Sequence, residues 1–116
     1  MQARTQFLYR ISKLFDFAER NKIEVDCFVF YRDPAQQLQE FLKGKSKIKS
    51  DGPHQHWLAM DIAIVENNDL LFGSDDLTIA KYKILGDYWK SLGENCIWGG
   101  DFKFANDVYH FELKSK

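Results

Sequence analysis

The sequence predicts an α+β fold, a small and mainly antiparallel sheet with helices packed on it. Two observations support this class. Apolar residues recur at helical spacing in long segments, whereas β-branched and aromatic residues concentrate in shorter runs between turn residues. The resulting order is helix, strand, helix, strand, short hairpin, helix and strand, which is typical of an α+β domain with helices on one side of its sheet.

The first half of the chain predicts two helices around one strand. We expect Thr5 to cap the first helix. Residues 25–31 are β-branched and aromatic, which predicts a strand, and Asp33-Pro34 then opens a second helix over residues 35–42. The apolar face of the first helix is formed by Phe7, Leu8, Ile11, Leu14, Phe15 and Ala18.

The second half predicts the centre of the sheet. Residues 57–65 form a mostly apolar run typical of a central strand, and residues 66–69 have turn chemistry before a short strand at 70–72. A third helix is expected over residues 77–92, where Gly86 allows either close packing or a kink, and residues 108–113 are expected to form a terminal strand. The core face of this helix is formed by Tyr82, Leu85, Trp89 and Leu92.

The length and charge of the chain limit the classes of protein to which it can belong. A chain of 116 residues is expected to form one domain. The net charge of -1, with interspersed signs, argues against a nucleic-acid surface. The lysine-rich residues 43–49 are interpreted as a solvated loop or as a rim beside an anionic substrate. Charges interrupt the N-terminal apolar positions and no long apolar run occurs, so we expect cytoplasmic synthesis without a signal peptide and no direct membrane anchoring.

Two segments supply side chains that zinc sites use. Residues 54–61 contain His54 and Asp61, and residues 107–112 contain Asp107 and His110. A catalytic zinc site needs three protein ligands, which leaves the fourth position for a water, and a separate carboxylate that takes the proton of that water. Two histidines and two carboxylates meet this requirement and indicate a zinc hydrolase.

Alternatives remain for several of these residues. Asp61 interrupts an apolar strand, where an unpaired charge is costly and a metal ion would remove the cost. His56 shares a strand face with His54, so residue types alone leave either as the ligand. Asp107 could cap a turn instead, and Asp101, which follows two glycines, is interpreted as a structural carboxylate.

Four motifs follow one another in a fixed order. They are His54-Gln55-Xaa-Xaa-Leu58-Ala59-Xaa-Asp61, Leu85-Gly86-Asp87-Tyr88-Trp89, Trp98-Gly99-Gly100-Asp101-Phe102 and Asp107-Xaa-Xaa-His110-Phe111-Glu112. Together they resemble the D-alanyl-D-alanine carboxypeptidase and L-alanyl-D-glutamate endopeptidase family of zinc peptidases, in particular its phage and prophage endolysin-type members. The resemblance covers roughly residues 25–113, because Tyr31-Arg32, Gln37 and residues 44–47 also match.

The resemblance implies the Hedgehog/DD-peptidase fold and a zinc ion held by His54, Asp61 and His110. It also implies that Asp107 is the general base and that Arg32 contacts the substrate or the developing oxyanion; a surface salt bridge is the alternative for Arg32. Glu112 is interpreted as a residue that orients a ligand or as part of the sheet surface. Candidate substrate-binding residues are Gln37, Ser46, Trp57 and Trp98.

Two positions depart from the family pattern. Gly52 stands where many relatives have serine, and Trp57 stands where many have glycine, which affects the expected shape of the pocket. The resemblance implies cleavage of peptidoglycan stem peptides, and we expect a monomeric L-alanyl-D-glutamate endopeptidase that reaches the cell wall through a partner pore. A D-alanyl-D-alanine carboxypeptidase and a catalytically silent zinc domain are the alternatives.

Overall fold

The computed structural model describes residues 1–29, 58–102 and 107–114. These residues form an α+β fold, as the sequence predicts. The elements are α1 (Ala3–Arg20), β1 (Val25–Val29), β2 (Ala59–Glu66), β3 (Asp69–Leu70), α2 (Asp76–Ser91), β4 (Cys96–Trp98), a 3-10 turn (Gly99–Asp101) and β5 (His110–Leu113). The helix predicted at residues 35–42 lies outside the described residues. Neither of the described helices is both long and apolar enough to cross a membrane.

The helix α1 begins earlier than expected. Gln2 is its N-cap residue, in extended conformation and without a side-chain capping bond, so the prediction that Thr5 caps the helix is wrong. Ala3 and Arg4 are both good helix formers, and with Thr5 they make the helix three residues longer than predicted. The predicted stripe is confirmed where it faces the sheet, because Phe7, Ile11, Leu14 and Ala18 are buried.

The sheet is antiparallel throughout its described part. Its strand order is β1-β2-β5-β4, and β3 extends β2 as a short hairpin. Asn67 and Asn68 form the hairpin turn, both at positive φ of 54° and 67°. Asparagine tolerates this conformation better than most residues, and two consecutive positive φ values match the twist of the flanking strands.

The helix α2 begins with a side-chain cap. The carboxylate of Asp75 accepts hydrogen bonds from the backbone N–H of Thr78 at 3.2 Å and from its hydroxyl at 2.7 Å. Both bonds favour the ionised carboxyl and hold the pKa of Asp75 below its usual value. The predicted core face is confirmed for Tyr82, Leu85 and Trp89, which are fully buried, whereas Leu92 lies at the C-cap and is partly buried.

Side chains of both helices and of the sheet meet in one core. The ring of Trp89 lies between Phe7 of α1, at a centroid distance of 5.9 Å, and Phe111 of β5, at 6.2 Å, both in edge contact. Alternate residues of β2 and β5, including Met60 and Leu113, belong to the same core cluster. Since side chains alternate along a strand, the residues between them point to the opposite face of the sheet.

Candidate metal centre

Two adjacent strands bring Asp61 and His110 together. These residues are direct register partners in the β2–β5 ladder, although 49 positions separate them in the sequence. Their side chains are only 18% and 12% exposed, and Nδ1 of His110 lies 3.3 Å from Oδ1 of Asp61. The polar partner that the carboxylate needs inside an apolar strand is therefore an imidazole from the neighbouring strand.

Asp107 joins this pair from the turn that precedes β5. One potential ligand atom from each of Asp61, Asp107 and His110 lies within 4.8 Å of the other two. Two carboxylates and one imidazole are a donor set that fits zinc, and also manganese or cobalt. Among the described residues the structure thus brings three of the four predicted site residues to one point.

Glu112 fixes the orientation of the histidine ring. Its Oε1 lies 2.6 Å from Nε2 of His110, and its side chain is 18% exposed. With a metal ion on Nδ1, the remaining ring proton would lie on Nε2 and would donate to the Glu112 carboxylate. A carboxylate behind a histidine ligand is the usual arrangement around protein-bound metals. The geometry supports the orienting role over the surface role.

The two carboxylates also control the charge of the imidazole. Burial lowers the pKa of His110, but hydrogen bonds to Asp61 and Glu112 outweigh it, and the pKa rises to about 9. At neutral pH the metal-free protein therefore holds a proton on each of the two ring nitrogens, Nε2 and Nδ1. A metal ion that binds Nδ1 must displace the proton on that nitrogen.

Phe102 lies beside the centre and was not identified from the sequence as a site residue, whereas the neighbouring Tyr109 packs elsewhere. The Phe102 ring lies 5.7 Å from the His110 ring in a tilted arrangement. The Tyr109 ring packs against Tyr82 at 5.0 Å, and its hydroxyl accepts a hydrogen bond from the backbone N–H of Gly73 at 3.1 Å. The Tyr109 side chain is thus part of the packing between β5 and α2.

The side chain of Trp98 is buried, whereas a substrate-binding residue is expected to be exposed. Its side chain is 2% exposed, and its indole N–H donates to the carbonyl oxygen of Val108 at 2.8 Å. The side chain therefore supports the turn that carries Asp107 instead of forming a substrate surface. Asp101 forms an ion pair with Lys90 at 2.9 Å, which agrees with its structural interpretation.

The remaining predicted site residues lie outside the described residues. They are Arg32, Gln37, Ser46, His54, His56 and Trp57.

No protein-family model matches the sequence, and no curated protein matches it. Solved structures do match. The L-Ala D-Glu endopeptidase ChiX of Serratia marcescens has a TM-score of 0.64 and 19% identity over 79% of this chain and 68% of its own. The LD-carboxypeptidase LdcB has a TM-score of 0.62 and 21% identity over 90% of this chain and 55% of its own.

A third match was solved with zinc. The vancomycin resistance D,D-pentapeptidase VanY, as the E175A mutant in complex with Zn(II), has a TM-score of 0.59 and 16% identity over 93% of this chain and 70% of its own. This chain has the fold of these peptidases. The three similar TM-scores belong to proteins with three different cleavage specificities, so the shared fold does not distinguish between them.

Proposed function

We propose that this protein is a zinc-dependent peptidase of peptidoglycan stem peptides, and specifically an L-alanyl-D-glutamate endopeptidase of the endolysin type. The observation that carries the proposal is the convergence of Asp61, Asp107 and His110 on one point. This convergence occurs on a fold shared with three peptidases, one of them solved with zinc.

The proposed zinc ligands are Asp61, His110 and His54, with Asp107 as the general base. Asp61 and His110 are supported by their position as cross-strand partners with their polar atoms turned toward each other. His54 rests on the family resemblance and precedes Asp61 by seven residues. Asp107 follows from its place three residues before His110 and beside the same point.

The chemistry needs a water nucleophile and a proton carrier. Zinc bound at this centre would supply a Lewis acid and would lower the pKa of a water molecule toward about 7. The Asp107 carboxylate would take the proton of that water and pass it to the leaving amine of the cleaved peptide. Arg32 would stabilise the negative charge that develops on the scissile carbonyl oxygen. Glu112 would keep the His110 ring in the orientation that presents Nδ1.

The endopeptidase specificity is supported by the resemblance to endolysin-type members and by the similarity to ChiX. A carboxypeptidase is the second candidate, because LdcB and VanY share the fold at comparable TM-scores. The two activities release different products. An endopeptidase cuts within the stem peptide, whereas a carboxypeptidase releases a single terminal alanine.

Digestion of purified peptidoglycan, followed by mass spectrometry of the fragments, tests the proposal. We expect wild-type protein to cleave the L-Ala–D-Glu bond, and we expect a chelator or Asp107→Ala to abolish cleavage. Asp69→Ala is the matched control, because it removes an exposed carboxylate of the hairpin strand β3. Release of terminal alanine alone would establish the carboxypeptidase, and an intact wall in every reaction would contradict the proposed function.

A further inference from the structure

The turn that carries Asp107 and His110 is held by the preceding segment. The backbone N–H of Asp107 donates to the carbonyl oxygen of Gly99 at 3.0 Å, and the indole of Trp98 donates to the carbonyl oxygen of Val108 at 2.8 Å. Within the turn, the N–H of His110 donates to the carbonyl oxygen of Asp107 at 3.2 Å. Two consecutive residues, Trp98 and Gly99, therefore bind the turn at its first and second positions.

Gly99 lies too close to the turn for any side chain. A β-carbon at this position would overlap the carbonyl oxygen of Asp107 and would lie 2.8 Å from the β-carbon of His110. Both neighbours belong to the metal centre, and the first is backbone that cannot rotate away. Only glycine allows this approach, so a side chain at position 99 must displace at least one of the two residues.

Trp98 is itself fixed from both sides. β-carbons at Gly86 of α2 and at Gly100 would each overlap its indole ring. The ammonium of Lys90 lies 5.6 Å from the ring centroid and is held there by its ion pair with Asp101. Because packing leaves the ring no room to shift, the direction of its N–H, and with it the position of the Val108 carbonyl, is determined by α2 and the 3-10 turn.

We propose that Trp98 and Gly99 are positioning residues of the metal centre, which set the distance of Asp107 and His110 from Asp61. Neither residue offers a metal ligand, and both act through the backbone of the turn. The inference rests on the proposed metal site but not on which peptide bond is cleaved. Residues that orient metal ligands typically contribute roughly 10- to 100-fold to metal affinity or activity.

Two buried aromatic residues provide a matched test. Trp98→Phe removes the indole donor to the turn. Tyr82→Phe removes a hydroxyl that accepts from the backbone N–H of Ile64 at 2.9 Å and donates to the carbonyl oxygen of Leu71 at 2.5 Å, away from the proposed ligands. Each variant loses a buried hydrogen bond to the backbone, so both should lower the unfolding midpoint in urea. Only Trp98→Phe should alter the metal centre.

Cobalt(II) titration, read by visible absorption, measures the centre without relying on activity. We expect Trp98→Phe to bind Co²⁺ about tenfold more weakly than wild type and with a changed absorption spectrum. Tyr82→Phe should stay within about twofold of wild type with the same spectrum. Equal effects of the two variants, or a wild-type spectrum and affinity for Trp98→Phe, would overturn the inference. Failure of wild-type protein to bind Co²⁺ would overturn the proposed function instead.

A pair of glycine variants gives an independent measurement. Gly99→Ala should weaken Co²⁺ binding by roughly 10- to 100-fold. Gly93→Ala is the control, because its β-carbon would meet the end of the flexible Arg10 side chain at 2.7 Å. Folded Gly99→Ala with wild-type affinity would contradict the inference. If circular dichroism finds Gly99→Ala unfolded, the comparison of Trp98→Phe with Tyr82→Phe decides the question alone.

Discussion

At the scale of single residues, the contact between Glu112 and His110 leads to the most specific prediction. Its carboxylate lies 2.6 Å from Nε2 of His110, on the side of the ring opposite to the atom that faces Asp61. The ring is therefore held between two carboxylates, one of which belongs to the metal centre and one of which only orients the ring. Substitution of Glu112 tests how much the orientation of the ring contributes to metal binding.

Glu112→Gln is expected to weaken zinc binding by about tenfold, because the amide is a weaker acceptor for the imidazole N–H than a carboxylate. Competition with a chromophoric chelator measures the affinity. Glu66→Gln is the matched control, since Glu66 lies on β2 and pairs with Lys81 at 2.8 Å instead of a site residue. Equal zinc affinity in wild type and Glu112→Gln would remove Glu112 from the site.

Proton release on metal binding follows from the charge of the same ring. The folded metal-free protein has a His110 pKa of about 9, above its ordinary value of 6.5. Because the protonated form dominates below the folded value, zinc binding at pH 7 should release about one proton, and the release should fall toward zero as the pH rises above about 9. Calorimetry in two buffers of different ionisation enthalpy measures this number. No release at pH 7 would contradict metal binding through Nδ1.

At the scale of elements, the buried face of α1 could be predicted from the sequence, but its first residue could not. The spacing of Phe7, Ile11 and Leu14 identifies both the helix and its buried face, because helical periodicity is a local property. The first residue of the helix is less well determined, since Thr5 resembles a cap although Gln2 occupies that position. The stripe also includes Leu8, which lies at its edge and is 42% exposed.

Two leucines of α1 should therefore differ in their contribution to stability. Leu14 is 1% exposed and Leu8 is 42% exposed. Leu14→Ala leaves a cavity in the core and should lower the free energy of unfolding by about 2–5 kcal/mol. Leu8→Ala should lower it by less than about 1 kcal/mol, since little apolar area returns to water. Urea denaturation of both variants measures the difference. Similar losses would mean that α1 packs on the sheet through another face.

The strand β4 shows where the sequence provides too little information. Cys96–Trp98 has only three residues and follows directly after the helix-ending Gly93 region, so periodicity cannot identify it. Its place at the edge of the sheet depends on long-range pairing with β5. The role of Gly99 near Asp107 depends on a close approach that no local pattern records.

At the scale of the whole molecule, the centre joins segments that are distant in the chain. Asp61 comes from β2, whereas Asp107 and His110 come from the C-terminal turn and strand. The residue types and their order suggested this pairing through a family resemblance. Their actual proximity depends on the register of β2 and β5, which a sequence pattern does not fix. The orienting role of Glu112 was one of two alternatives until its distance to His110 was known.

A ligand that binds only the folded protein stabilises it, and here that ligand would be zinc. We expect saturating zinc to raise the melting temperature and a chelator to reverse the rise, with about 2.7 kcal/mol of added stability at a free concentration 100 times the Kd. Asp61→Asn should abolish most of the rise, and Asp69→Asn, on the exposed hairpin strand, should retain it. Differential scanning fluorimetry measures all three proteins. A zinc-induced rise that persists in Asp61→Asn would place the ion elsewhere.

The confined indole of Trp98 has a practical consequence. Its N–H is bonded to the backbone between two residues of the metal centre, and its ring is shielded from solvent. Emission from such a chromophore is sensitive to small changes in its surroundings. The tryptophan fluorescence of unlabelled protein should therefore change when a metal ion binds. Cobalt, which absorbs visible light and quenches nearby fluorophores, would make this intrinsic reporter a direct readout of occupancy during inhibitor screening.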